Sequence, residues 1–157
     1  MPQMTVAGGE TVPRMFQSRV MLSKDKVALR YKKLGIWHDV TWAQYNQKVK
    51  EVCLALVSLG LRPGECVSVI GENCPEWVYV DLGTTHAGGA TVGVYATNSW
   101  EQCQYVVDHS ESRIYFVENE EQLDKALRFR EQVPRLEKII VWDLKGLKRF
   151  KDPMVLS

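Results

Sequence analysis

The chain of 157 residues, with 45% hydrophobic and 25% charged side chains, is one domain's worth of sequence with enough apolar material for a core, which argues against intrinsic disorder. A formal net charge of +1 excludes the broad basic field of a nucleic-acid or polyanion binder. No apolar run approaches the roughly 18–20 residues that cross a bilayer, and the longest, residues 52–61, is interrupted by Ser58 and Gly60.

Residues 1–20 show no sustained periodicity and carry Pro2, Gly8-Gly9 and Pro13, so a loose N-terminal arm is expected over residues 1–24. Residues 27–32 alternate apolar and polar side chains as a half-buried strand does. Leu34-Gly35 makes a turn, and residues 36–40 return antiparallel. Thr41 is an N-cap that Gln44 completes as a capping box, with Val40 and Tyr45 at the two ends of a hydrophobic staple. Trp42, Tyr45, Val49, Val52, Cys53, Leu56 and Leu59 then give a helix one apolar face, Gly60 stops it, and Pro63-Gly64 turns the chain.

From there strands and helices alternate. Residues 66–70 read as a buried parallel strand, and Pro75 suits the first position of a helix ending near Gly88-Gly89. Residues 91–95 are a strand, Ser99 with Gln102 opens a helix through about residue 109, and residues 113–117 are a strand. Asn119 with Gln122 caps a further helix that Pro134 ends, and residues 138–142 are the last strand. This order predicts an α/β fold: a doubly wound, mainly parallel sheet with helices on both faces, plus a small antiparallel pair near the N-terminus. Residues 25–144 form that subdomain, and residues 145–157 read as a truncated connecting segment with no completed element.

A doubly wound sheet binds ligands beyond the carboxyl ends of its strands, here Gly71-Glu72-Asn73, Ala96-Thr97-Asn98, Glu118-Asn119 and Asp143. Neither G-x-G-x-x-G nor G-x-x-x-x-G-K-[ST] occurs, and the glycines at 83, 88, 89 and 93 fall in a helix, at its end and in a strand, where packing and helix termination explain them. No G-x-S-x-G elbow exists. Cys74, before a helix start, is the one reactive-thiol candidate, set against plain packing at the helix entry. His86 reads as a satisfied core histidine rather than a base. Glu118, Glu120 and Glu121 sit where a helix N-terminus favours negative charge, and Asn73 and Asn98 suit turns or caps. The basic cluster Lys145, Lys148, Arg149 and Lys151 reads as a solvated loop, lacking the interleaved aromatics of a nucleic-acid site. Cys53, Cys66, Cys74 and Cys103 form no C-x-x-C pair and His38, His86 and His109 are scattered, so metal-ligand spacing is absent and free thiols in a reducing cytosol are expected. Residues 1–13 carry no export signal, which adds to the expectation of a cytoplasmic protein.

Six pieces in order carry a resemblance that covers about residues 25–142. They are the strand at Val27-Ala28-Leu29, the T-W-x-x-Y helix start at residues 41–45, the G-[LV]-x-x-G-D-x-V-x-[IL] stretch at 60–69 (with Glu65 in place of its aspartate), N-x-P-E-W at 73–77, the glycine-rich stretch ending T-N-S at 87–99, and Q-Y-V-x-x-[HD]-S at 104–110. Together they resemble the N-terminal region of the acyl-activating, adenylate-forming superfamily, and within it the bubblegum-like branch of AMP-forming long-chain fatty acyl-CoA synthetases. The resemblance implies a ligase that joins a fatty acid to coenzyme A through an acyl-adenylate, with ATP, Mg²⁺ and CoA as cofactors of the full-length enzyme. The phosphate loop, the Mg²⁺ glutamate, the ribose aspartate and the mobile-domain lysine of such enzymes have no counterpart here, so no catalytic, cofactor-binding or metal residue is assigned.

The resulting expectation is an inactive N-terminal part of a ligase whose partners are the rest of its own polypeptide, namely the adenylate-binding half and the C-terminal domain. Peripheral membrane contact and self-association stay open, and no nucleic-acid partner is expected. A ligase for a medium-chain or aromatic acid, and a free-standing nucleotide-binding or interaction module, are the alternatives.

Overall fold

The computed structural model describes residues 10–157. Helix α1 spans Val12–Ser23, strands β1 and β2 span Val27–Lys33 and Ile36–Thr41, and helix α2 spans Trp42–Ser58. Then come β3 (Cys66–Ile70), α3 (Pro75–His86), β4 (Ala90–Val94), α4 (Trp100–His109), β5 (Ile114–Val117), α5 (Glu120–Phe129), β6 (Lys138–Val141) and β7 (Val155–Leu156). Strands β1 and β2 pair antiparallel as a ribbon of their own, and the other five form a parallel sheet in the order β4-β3-β5-β6-β7.

The local signals set these boundaries. At Thr41 and at Ser99 both halves of a capping box are made: Oγ accepts the N–H of the third helical residue, whose glutamine side chain returns to the cap's own N–H at 2.8 and 2.9 Å. Asn119 caps α5 through its side chain, but Gln122 does not reciprocate; its amide reaches the Ala96 carbonyl instead. Helices α2 and α3 stop where Gly60 and Gly88 adopt φ of +81°, a conformation that costs a side chain and not a glycine.

The sheet is apolar on both faces, as a parallel sheet must be. Val67, Val69, Ile114 and Phe116 meet Leu56 of α2 and Val80 of α3 on one side. Ile70, Val94, Tyr115, Val117, Ile139 and Val141 meet Cys103 and Val107 of α4 and Leu123, Ala126 and Phe129 of α5 on the other. Successive residues of β5 therefore alternate between the two cores, which fixes its register. Among the described residues no helix is long and apolar enough to cross a membrane.

Two expectations are corrected. Residues 12–23 are a helix, not part of a loose arm; residues 1–9 of that arm lie outside the described residues. Thr11 Oγ1 accepts the Arg14 N–H, Pro13 sits in the first turn where a missing N–H costs nothing, and Phe16, Val20 and Ser23 repeat at helical spacing and are buried. Phe16 is locked among aromatic rings, 5.0 Å from Tyr45, 5.9 Å from Trp42 and 5.5 Å from His86.

The second correction concerns the tail, which does hold an element. Strand β7 pairs with β6 at Ile139↔Val155 and Ile140↔Leu156, and Asp152 anchors it by an ion pair with Arg130 at 2.5 Å while accepting the Met154 N–H at 2.9 Å. Met154 and Val155 add their side chains to the core beside α5.

Candidate functional site

The chain runs β3–α3–β4 toward one edge of the sheet and then crosses by α4 to β5 on the other side of β3, so the topological switch point lies between β3 and β5. The crevice beyond their carboxyl ends is where a ligand of such a sheet is expected. In this chain it is filled. A Cβ built on Gly71, the residue after β3, would lie 2.6 Å from the Trp142 indole and 3.0 Å from Glu118 Cβ, so the ring occupies the space a ligand would need. The Glu72 N–H, the backbone donor that a ligand at this position would use, is already given to Glu118 Oε2 at 2.8 Å. The Asp143 N–H is given to the Glu118 carbonyl at 2.7 Å.

A cavity of about 460 Å³ remains beside the switch point, between the ends of β3 and β4. Gly71, Glu72 and Asn73 line one side, Tyr95 and Thr97 the other, and Trp77 the floor; no lysine or arginine lines it. The loop beyond β4 that forms its far wall is held in place by Lys125, whose ammonium donates to the Ala96 carbonyl at 2.8 Å. A triphosphate needs converging N–H groups and cations. This cavity offers carboxylates, Glu72 with Glu118 nearby, and the residues present do not fit ATP phosphates.

The residues singled out in the sequence fall apart in space. Cys74 is the N-cap of α3 without a side-chain capping bond. Burial pushes its thiol up to about 11, outweighing the Trp77 N–H that favours the thiolate. Burial at this helix entry therefore disfavours the reactive thiolate. At pH 8, alkylation of Cys74 by iodoacetamide, followed by peptide mass spectrometry, is expected to run roughly a hundredfold slower than free cysteine. Labelling at the free-thiol rate would mean the burial is not real.

His86 is satisfied at both ring nitrogens: Nδ1–H donates to the Leu82 carbonyl at 2.6 Å, and Nε2 accepts from the Gln17 amide at 3.3 Å, which also donates to Asn46. It has no free lone pair with which to act as a base. Asn98 makes a turn onto the Tyr95 carbonyl. Lys148 and Lys151 edge a cavity of about 760 Å³ whose wall is apolar, formed by Leu144, Leu147, Phe150 and Leu156. Among the described residues no group of three or more His, Cys, Asp or Glu side chains is placed to hold a metal ion. Sequence reasoning missed Trp142 as the plug of the crevice. The signal was only that a bulky indole follows β6 while a glycine follows β3, two places across the sheet.

Comparison with known proteins then gives the geometry a context. A family described as "AMP-binding enzyme" matches residues 16–153. The chain is 38% identical over 130 residues to the long-chain-fatty-acid–CoA ligase ACSBG2 of Xenopus laevis, covering 83% of this chain and 18% of that protein. It is 32% identical over 132 residues to the long-chain-fatty-acid–CoA ligase ACSBG1 of Homo sapiens, covering 84% of this chain and 18% of that protein. The chain thus spans less than a fifth of the length of these relatives. Among solved structures, the fold matches a coronafacic acid ligase from Pectobacterium brasiliense (TM-score 0.82, 20% identity, 94% of this chain and 28% of that one). It also matches the anthranilate CoA ligase AuaEII in complex with anthranoyl-AMP (TM-score 0.78, 25% identity, 85% and 25%).

Proposed function

We infer from one premise, that this chain belongs to the AMP-binding enzyme family, that it is the scaffold portion of an AMP-forming long-chain fatty acid–CoA ligase. The carrying observation is its 38% identity to a relative named as such a ligase. In the proposed reaction a fatty acid carboxylate attacks the α-phosphorus of ATP, giving acyl-adenylate and releasing pyrophosphate. The thiol of coenzyme A then adds to the acyl carbonyl and AMP leaves.

The described residues contribute no step of that chemistry. The crevice is plugged by Trp142, the neighbouring cavity is lined by a carboxylate and no cation, and burial disfavours the thiolate of the one cysteine considered. Their work is positional: a doubly covered parallel sheet gives a stiff wall against which the remaining length of a ligase can be arranged. ATP, Mg²⁺ and CoA would be held elsewhere in the longer protein, and its adenylate-binding half and C-terminal domain are the proposed partners. A cytoplasmic location with peripheral contact to a membrane, where a long-chain acid partitions, belongs to the same reading.

The test has two arms. The purified 157-residue chain, given palmitate and ATP, is expected to show no ATP–pyrophosphate exchange above the protein-free blank. Exchange by this chain alone would end the scaffold reading. A chimera in which it replaces the matching segment of the ACSBG2 relative is expected to form palmitoyl-CoA, and preference for octanoate or benzoate would redirect the substrate class.

A further inference from the structure

The β1–β2 hairpin ends in a two-residue loop, Leu34-Gly35, closed by the pair Lys33↔Ile36. Both loop residues have positive φ, +49° for Leu34 and +82° for Gly35, the signature of a type I′ turn. Asparagine or glycine adopts such a conformation readily; leucine resists it, because its Cβ crowds the following carbonyl. The leucine gains nothing in return from the fold, being 95% exposed. Ile36 and Trp37 beside it are 65% and 63% exposed. Three large apolar side chains thus crowd a tip that intrinsic turn chemistry would make polar.

The charges around the tip are one-sided. Lys32 and Lys33 flank it, Lys32 with its ammonium 5.9 Å from the Trp37 ring, and no carboxylate lies between residues 32 and 38. The nearest acid in sequence, Asp39, is taken by Arg30 through two bonds of 2.5 and 2.9 Å. Opposed pairs share a face, so Trp37 and Lys32 project on one side of the ribbon, Ile36 and Lys33 on the other, and Leu34 at the apex.

We propose that this hairpin tip is a membrane-contact finger, with Leu34, Ile36 and Trp37 entering the headgroup region of an anionic bilayer and Lys32 and Lys33 engaging its phosphates. A protein pocket meets one face of a ribbon and needs far more area than three side chains supply. A second copy would bring lysines against lysines. A fluid interface takes side chains pointing in every direction, prefers tryptophan at headgroup depth, and lets lysines snorkel to the phosphates. The inference shares the membrane with the proposed function, but its test contains neither ATP nor acid, so either can fail alone.

The test is flotation of the 157-residue chain with vesicles of phosphatidylcholine, without and with about 30% phosphatidylserine, at low and high salt. The expected result is binding to the anionic vesicles, at least about tenfold weaker to the neutral ones, and weakened by salt. The double variant Leu34→Asn/Trp37→Thr is expected to lose binding at least about tenfold while melting no lower than wild type, since Asn-Gly suits this turn. Lys32→Glu/Lys33→Glu is expected to lose it as well. Failure of the wild type to bind anionic vesicles, equal binding to neutral ones, or retained binding by either variant overturns the proposal. So does self-association of the wild type that the Leu34→Asn/Trp37→Thr variant abolishes, which would assign the tip to a second copy.

Discussion

Gly83→Ala is expected to destabilise the chain by about 1–2 kcal/mol and Gly83→Val by about 3 kcal/mol or more, lowering the urea midpoint by roughly 1 M or more at the slope usual for small domains. The sign is the informative part. In an exposed helix interior the glycine-to-alanine change gains up to about 1 kcal/mol, because alanine is the better helix former and restrains the unfolded chain. Gly83 sits in α3 where that helix crosses α2, and a Cβ there would lie 2.5 Å from Val52 Cγ1, 2.7 Å from Val52 Cβ and 3.2 Å from the Cys53 backbone nitrogen. The last two contacts cannot be relieved by a rotamer change, so the helices must separate, and Leu56 and Val80, which pack beneath them on the sheet, separate with them. Val52→Ala is accordingly expected to rescue Gly83→Ala only in part, since its own Cβ remains in the way. A stabilised Gly83→Ala protein would show that the helices do not approach this closely in solution.

That contact illustrates what could and could not be read from the residue order. The two capping boxes at Thr41 and Ser99, the proline opening α3 and the glycines closing α2 and α3 are local signals, complete within four or five residues, and they placed the elements within a residue or two. The parallel sheet followed from strands alternating with helices, through the handedness of crossovers. Helix α1 was hidden because Pro13 reads as a breaker unless Thr11 is recognised as the cap that makes it a first-turn residue. Strand β7 was hidden because its two residues gain meaning only from the ladder of β6 and the Arg130–Asp152 anchor, partners that lie 16 and 22 positions apart. The plugged crevice was hidden for the same reason: Gly71, Glu118 and Trp142 meet only through the order of strands. In the hairpin, sequence located the turn at Leu34-Gly35, yet exposure of its leucine became visible only once the ribbon stood apart from the main sheet.

Arg113→Met is expected to cost about 2 kcal/mol at neutral pH, with a pH signature that distinguishes it from a packing defect. Arg113 lies just before β5, at the amino edge of the sheet opposite the crevice. Its guanidinium donates to both oxygens of Glu137 at 2.9 and 2.6 Å, to Glu65 at 2.6 Å and to the Gly60 carbonyl at 2.6 Å. One side chain thereby joins the exit of α2, the entry to β3 and the entry to β6. These bonds are charge-assisted and the Arg113 side chain is only 16% exposed, which lifts the arrangement above an ordinary surface pair. Solvent around Glu137, half exposed, keeps the cost below that of breaking a fully buried network.

Hydrogen bonding to Arg113 is the largest influence on both carboxyls and holds each below the usual glutamate range. A depressed folded-state pKa contributes stability that is present above the unfolded value, about 4.3, and is lost as pH falls through the folded value. The difference between wild type and Arg113→Met should therefore be constant from pH 7 to about pH 5 and shrink steadily below about pH 4. The ion pairs Arg30–Asp39 and Arg130–Asp152 titrate identically in both proteins and cancel. Urea midpoints across that range measure it. Curves that stay parallel into acid would mean that methionine disturbs packing alone, and that the three segments are not held together by this guanidinium.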